Sequence, residues 1–292
     1  MGRPNVGSAM IVEHQLRQAT PEDSARLRQL LRDGQYIHRH LDWRSPLEWL
    51  GQQPFWLLLG AERLEAALAC PPDPPGVAWV RLFACSERER PSEAWHALFP
   101  RALENLGHTN VVAAIALRPW FATLLEHERF TLYQRVVTLW RDLNLPPGEP
   151  PTLLRAGGLI RPMHPDDLEA VEEVDTKAFE WLWRNSSGDI YRSWQQAAYA
   201  SVAVIGDEIV GFQFSTLSPT NAHLARLAVH PSWQRRGIGQ ALLYDVMRYF
   251  CEHHISQLTV NTQQDNHASL ALYRKAGFRL TGEDYLVYLY TH

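Results

Sequence analysis

The sequence predicts an α/β (α+β) fold made of two related domains in tandem, each a mixed central sheet flanked by helices, the first copy degenerate. Three observations predict it. The order of helical and extended patterns in the second half ends in a strand, a glycine turn and an amphipathic helix. A Pro/Gly-rich run divides the chain near its middle, and matching segments recur on either side of that run.

The dividing run is Leu145-Pro-Pro-Gly-Glu-Pro-Pro-Thr-Leu-Leu-Arg-Ala-Gly-Gly158, which can neither continue a helix nor pair as a central strand. It places a first domain at 10–145, a linker at 146–157 and a second domain at 158–292. Leu16-Arg-Gln-Ala-Thr-Pro-Glu-Asp23 matches Ile160-Arg-Pro-Met-His-Pro-Asp-Asp167, with Arg17 and Arg161 144 positions apart. Val80-Arg-Leu-Phe-Ala84 matches Ala225-Arg-Leu-Ala-Val229 at 145, and Arg129-Phe130 matches Gly277-Phe278 at 148. Three matches in one order at nearly one spacing indicate a duplicated domain.

Elements of the second half follow in order. Pro165 to Ala178 is a helix whose first turn carries Asp166 and Asp167, where carboxylates suit the helix dipole. A second helix is expected over Ile190 to Tyr199. Strands Ser201 to Ile205 and Ile209 to Ser215 flank the turn Gly206-Asp207-Glu208. Ala222 to Val229 is a strand. Apolar Ile238, Ala241, Leu242, Val246, Met247 and Phe250 recur at helical spacing after it. Leu258 to Asn261 is a strand, Ala268 to Lys275 a short helix stopped by Gly277, and Leu286 to Tyr290 a last strand.

Between strand and helix lies Gln234-Arg235-Arg236-Gly237-Ile238-Gly239-Gln240. The first helical N–H groups there have no intrahelical partner, two arginines add positive charge, and two glycines without a Cβ allow close approach, which together make an anion site. Composition excludes other classes. Of 292 residues, 46% are hydrophobic and 21% charged, and the net charge of −4 gives no reason to expect nucleic acid or an anionic membrane as partner. Cys70, Cys85 and Cys251 are odd in number and form no CxxC, so they read as buried thiols in a reducing compartment. Met1 to Met10 lacks the apolar core of a signal peptide, no apolar run is long enough to span a membrane, and no metal-spaced ligand set appears, so a cytoplasmic protein without metal is expected.

With Gln234-x-x-Gly237-x-Gly239 after the strand and Asn266-x-Ala268-x-x-x-Leu272-Tyr273-x-Lys275-x-Gly277-Phe278 downstream, residues 158 to 292 resemble the GNAT superfamily of acyl-CoA-dependent N-acyltransferases. The resemblance implies acetyl-CoA as cosubstrate in a V between the strand ending at Val229 and the strand Leu258 to Asn261. Its diphosphate would rest on the amides of Arg235, Arg236, Gly237, Ile238, Gly239 and Gln240, and its arm would run along Leu227, Ala228 and Val229. Asn266 would touch that arm, Tyr273 would face the thiol as general acid, and an amide freed by a bulge near Val229 would meet the carbonyl oxygen. Read from the residues alone, Asn266 also suits a helix N-cap and Tyr273 a packing position.

At the 145-residue offset the first domain carries Glu89-Arg-Pro-Ser-Glu-Ala94, two carboxylates and no glycine where the diphosphate would sit, and at 148 Leu125 stands in place of Tyr273. That copy is therefore expected not to bind CoA and to serve as a structural or acceptor-shaping partner.

Transfer to an amine requires the amine neutral. A Lys amine is neutral about once in 2,500 at pH 7, roughly 4.6 kcal/mol uphill, whereas an α-amino group costs only about 1–1.4 kcal/mol. His223, six residues before Val229, is a candidate base or else a packed histidine at a strand start. Glu208, Glu180 and Asp189 are weaker alternatives. Phe179, Trp181, Trp183 and Trp194 fall where the family places its acceptor side, although aromatics at such spacing more often pack. The resemblance implies an N-acetyltransferase acting on a primary amine: a peptide or protein α-amine as in ribosomal-protein alanine acetyltransferases, or a small amino metabolite or antibiotic as in mycothiol-synthase-like and aminoglycoside-modifying relatives. A non-catalytic acyl-CoA sensor is the alternative outside enzymes, and the chain is expected as a monomer or homodimer.

Overall fold

The computed structural model describes residues 15–61, 63–107, 111–149, 151, 159–219 and 221–290. Met1 to Met10 and most of the linker, 150 and 152–157, lie outside them. Two compact units are present, Met1–Phe130 with Leu289–His292, and Thr131–Tyr288.

In the first unit β1 (Gln15–Gln18), α1 (Ser24–Asp33), β2 (Tyr36–Arg39), β3 (Phe55–Leu59), β4 (Leu64–Ala69), β5 (Val77–Trp79) and β6 (Leu82–Cys85) precede α2 (Pro91–Leu106), β7 (Val111–Ala116) and α3 (Pro119–His127). Strands run in the order β1-β3-β4-β6-β2, and β5 pairs in parallel with β7. Leu27 and Leu30 of α1 pack on Leu57, Ala67, Leu82 and Ala84, while Phe83 meets Trp95 of α2 edge-on, 5.0 Å between ring centres.

The second unit begins with β8 (Thr131–Asp142), followed by β9 (Leu159–Pro162), α4 (Leu168–Ala178), α5 (Ser187–Gln196), β10 (Tyr199–Ile205), β11 (Glu208–Leu217), β12 (Asn221–Val229), α6 (Ile238–Glu252), β13 (Gln257–Gln263), α7 (His267–Lys275) and β14 (Arg279–Tyr290). Its strand order is β14-β8-β13-β12-β11-β10-β9. All the predicted helices and strands of this half are present, most with boundaries shifted by one to three residues. A single turn of 3-10 helix, Pro165–Asp167, precedes α4. Helix α5 begins at Ser187, where the Ser186 hydroxyl accepts the Asp189 amide, and ends at Gln196, while Tyr199 already opens β10. Strand β14 starts seven residues before the expected Leu286.

The unit boundary falls at Phe130/Thr131 rather than in the Pro/Gly run, because β8 pairs antiparallel with β13, Leu139 opposite Val260. Val137, Leu139 and Leu143 accordingly share a core with Leu243, Val246, Phe250, Leu258 and Val260. Each fully buried aliphatic or Phe side chain in such a core contributes about 1.5–3 kcal/mol.

The duplication is visible in repeated devices. Arg17 pairs with Asp23 at 2.5 Å and Arg161 with Asp167 at 2.6 Å, and each aspartate also accepts the amide three residues before it, at Thr20 and His164. The ladder Arg17–Leu57–Ala67–Ala84 corresponds to Arg161–Val202–Phe212–Ala228. It equates Ala84 with Ala228, one residue out of step with the 145-residue sequence match. Helices α3 and α7 keep the 148 offset and end alike, with Arg129 (φ 63°) and Gly277 (φ 86°) left-handed and the Phe130 and Phe278 amides bonded to the carbonyls of Leu125 and Tyr273.

Candidate active site

Strand β12 pairs in parallel with β13 only from Asn221 to Leu224, opposite Gln257 to Val260. On its other edge the register with β11 slips between Phe214 and Ser215, leaving Ala225 as the extra residue of β12. A bulge bends the strand that carries it. The bulge lies four residues before Val229, not beside it, and just where the pairing with β13 ends.

Beyond the bulge, Leu227 and Val229 pack against Ile238 and Leu242 of α6, and Ala228 is buried. The connection 230–237 then turns into the helix. His230 Nδ1 accepts the Ser232 amide, and the Gln234 side chain donates to the Val229 carbonyl at 3.1 Å. Trp233 donates to Glu208 and lies 4.6 Å under the Arg236 guanidinium. Arg235 (φ 60°) and Gly237 (φ 86°) both adopt left-handed backbone, which Gly237 does without a Cβ penalty. The first amide to enter the helical ladder is that of Ala241, bonded to Gly237. Among the described residues the amides of Arg235 through Gln240 donate to nothing in the protein. Gly239 faces Leu272, Val229 and Leu227, with 3.4 Å left between an added Cβ and Leu272. A row of free amides at a helix head, two arginines and a side chain reduced to hydrogen fit a diphosphate.

Across from this turn, the Asn266 side chain accepts the Ser269 amide at 3.0 Å and caps α7. Tyr273 sits inside the core formed by Leu243, Val246, Leu270 and Phe278, and burial pushes its hydroxyl well above the usual phenol range. No described residue hydrogen-bonds that hydroxyl. His223 is half-buried on β12, opposite Thr259 of β13, and burial holds its imidazole below the ordinary histidine value. Thr259 spends its proton on the Ala222 carbonyl, so its oxygen accepts from His223 Nδ1 at 2.8 Å. The basic nitrogen is then Nε2.

Of the alternative bases, Glu208 is engaged by Trp233 and Asp189 lies in the first turn of α5. Glu180 stands at the N-cap position of the turn Trp181–Trp183, but its carboxylate accepts no capping hydrogen bond there. Glu208 also borders a hollow of about 550 Å³ with Arg161, Glu173, Lys177 and His230, on the α4 side of the β10–β11 hairpin. None of Leu227, Asn266 and Tyr273, expected at the donor site, lines this hollow.

Sequence reasoning missed the partners of Arg226 and the part played by β8. Arg226 pairs with the fully buried Asp175 of α4 and donates to the Trp183 carbonyl. Gln134 of β8 accepts from Trp183 Nε1 at 3.0 Å and donates to Asp265 at 3.1 Å. Thr138 of β8 donates to Asn261. The only sequence signal was the recurrence of arginine at 81 and 226.

In the first unit β6 leads to α2 through 86–90, three residues fewer than 230–237, and Pro91 already opens the helix. Glu89-to-Ala94 is therefore part loop and part helical turn, with the Ala94 amide bonded to Arg90. Leu125 is buried in α3 where α7 has Tyr273. Burial pushes the Cys70 and Cys85 thiols up to about 12, which removes them as nucleophiles.

Among the described residues no helix is long and apolar enough to cross a membrane, and no group of three or more His, Cys, Asp or Glu could hold a metal.

The acetyltransferase (GNAT) family profile matches residues 168–278. The chain is 28% identical over 146 residues to a mycothiol acetyltransferase of Amycolatopsis mediterranei, covering 44% of this chain and 48% of that one. It is 27% identical over 130 residues to the ribosomal protein bS18-alanine N-acetyltransferase of Escherichia coli, covering 41% and 79%. The chain thus spans about half the length of the mycothiol acetyltransferases it matches. Across 95% of its length it shares a fold with a GCN5-related N-acetyltransferase of Sphaerobacter thermophilus (TM-score 0.61, 18% identity, 95% of that chain). It shares a fold over the same fraction with a tandem GNAT protein from the clavulanic acid biosynthesis pathway (TM-score 0.66, 17% identity, 98% of that chain). Residues 168–278 are a GNAT acetyltransferase domain, in a chain whose full-length structural neighbours include a tandem GNAT protein.

Proposed function

We propose that this chain transfers acetyl from acetyl-CoA to a primary amine, a peptide or protein N-terminal α-amine being the favoured acceptor. The run of unpartnered amides from Arg235 to Gln240, at the head of α6 and after the stretch of β12 that no longer pairs with β13, carries the reading. Those amides and the two arginines would hold the diphosphate, Leu227 to Val229 would line the arm, and Asn266 would meet it with the amide nitrogen that its capping bond leaves free. Acetyl-CoA supplies the thioester.

The residues then have three tasks. His223 Nε2, neutral at pH 7 because burial lowers its affinity for protons, takes the amine proton directly or through water. A base so weak suits an α-amine, which costs about 1–1.4 kcal/mol to deprotonate, better than a Lys side chain at roughly 4.6. The bulge at Ala225 offers a backbone amide to the carbonyl oxygen. Tyr273 keeps its proton and gives the departing sulfur a hydrogen bond. The match to the bS18-alanine enzyme, over most of that protein's length, supports the same acceptor class. A small amino metabolite, the acceptor class of the mycothiol relatives, is the second reading and is supported by their match. A first unit without the glycine turn serves as structural or acceptor-shaping partner, and three free thiols fit a cytoplasmic protein.

The test is thiol release from acetyl-CoA over a panel of alanine-starting peptides, N-blocked lysine peptides and small amino compounds. Peptide α-amines should be turned over with the highest kcat/KM. Turnover of small amines alone would select the metabolite reading, and CoA binding without any transfer would sink the enzyme reading in favour of a sensor.

A further inference from the structure

We propose that Arg226 is a positioning residue for the acceptor: it ties the segment Phe179–Asn185 to β12 and so sets the wall against which the amine is presented. The inference rests on the reading of β12 as the donor strand.

Arg226 follows the bulge residue Ala225 directly. Its neighbour Leu227 turns towards α6, whereas the Arg226 side chain reaches α4, on the opposite face of the sheet. There it makes three different contacts. Its Nε donates to Asp175, its Nη2 donates to the Trp183 carbonyl at 2.6 Å, and its guanidinium lies 3.7 Å from the centre of the Phe179 ring. Asp175 is fully buried and uses its second oxygen to accept the Asn185 amide at 3.0 Å. Both ends of the segment and its middle thus converge on one ion pair. Apart from the turn Trp181–Trp183 the segment has no regular structure, so no backbone ladder would hold it otherwise. Trp183 then passes the link through Gln134 to Asp265, immediately before the Asn266 cap of α7. Trp181, at 42% exposure, stands out from this anchored segment towards solvent.

Only arginine can do this from one position. Its planar fork donates in two directions while its face stacks on an aromatic ring; a lysine ammonium would keep the charge and lose the carbonyl bond and the stack. Removing the cation leaves Asp175 as an uncompensated buried charge, which drives the segment to rearrange. A displaced acceptor wall weakens acceptor binding and leaves the diphosphate turn, on the other face, as it was.

The experiment uses the full chain with an alanine-starting peptide, comparing wild type with Arg226→Lys and Arg226→Gln. KM for the peptide should rise at least tenfold, while acetyl-CoA affinity by calorimetry stays within about twofold, and amide hydrogen exchange across 179–185 should quicken. Unchanged peptide KM, or a parallel loss of acetyl-CoA affinity, overturns the proposal. Should Arg226→Gln fail to fold, Phe179→Leu keeps the ion pair and removes only the stack. It should raise peptide KM about threefold, and an unchanged KM counts against the proposal. If wild type acetylates no amine, the reaction reading alone falls, and exchange across 179–185 still decides the clamp: unaltered exchange in Arg226→Lys overturns it.

Discussion

Tyr273 and His223 differ in how far the chemistry can lean on them. Burial holds the Tyr273 proton in place, so full transfer to a thiolate, whose own acid has a pKa near 8.5, would be uphill, and in the proposed reaction the residue would contribute a hydrogen bond only. Tyr273→Phe should therefore lower kcat about tenfold, roughly 1.4 kcal/mol, with acetyl-CoA affinity unchanged; stopped-flow thiol release measures both. A loss of a thousandfold would assign it full proton transfer. His223 would serve as the proposed base only when neutral, and its lowered pKa extends that state below the ordinary histidine range. With an acceptor of low pKa, kcat/KM should hold through pH 6.5 and fall only below it, and His223→Gln should flatten that limb. The motif residues were legible because each sits within a few positions of its partners along the chain. Arg226 and Asp175 were not, since 51 positions separate them and neither belongs to a spaced motif.

At the scale of elements, the cap pairs are the clearest inherited device. Arg17 beside Asp23 holds that carboxyl down at about 2, and Arg161 lowers Asp167 in the same way. A carboxyl whose folded pKa is depressed adds stability that is present above its unfolded value near 3.9 and lost as pH falls towards 2. Asp23→Asn should cost about 1–2 kcal/mol at pH 7, allowing for the partly exposed arginine, and clearly less at pH 2, where about half of the carboxyl is protonated; urea midpoints at the two pH values test it. Periodicity found α4, α6 and α7 because each buries one face on a sheet. It misplaced α5, whose start depends on the Ser186 cap rather than on an apolar stripe. The bulge at Ala225 was invisible for another reason: register belongs to two strands, and one strand's sequence does not carry it.

For the whole molecule, the sequence repeat pointed to two domains and gave no sign that β8 pairs with β13. The Pro/Gly run looks like a boundary, yet β8 before it completes the second sheet, and nothing local in Thr131–Asp142 announces which partner it pairs with. A fragment 158–292 would expose the β13 edge and the core side of Val260, and should be insoluble or unfold without cooperativity. A fragment 131–292 should melt in a single transition by circular dichroism. Equal behaviour of the two would show that β8 is dispensable.

The central claim is that one turn, Arg235 to Gln240, binds the donor, and that the first unit, whose shorter connection already enters a helix at Pro91, does not. Calorimetric titration of the full chain with acetyl-CoA tests it most directly. One site per chain is expected, with affinity at least a hundredfold lower in Gly239→Asp. Two sites per chain, or an affinity unaffected by Gly239→Asp, would contradict it.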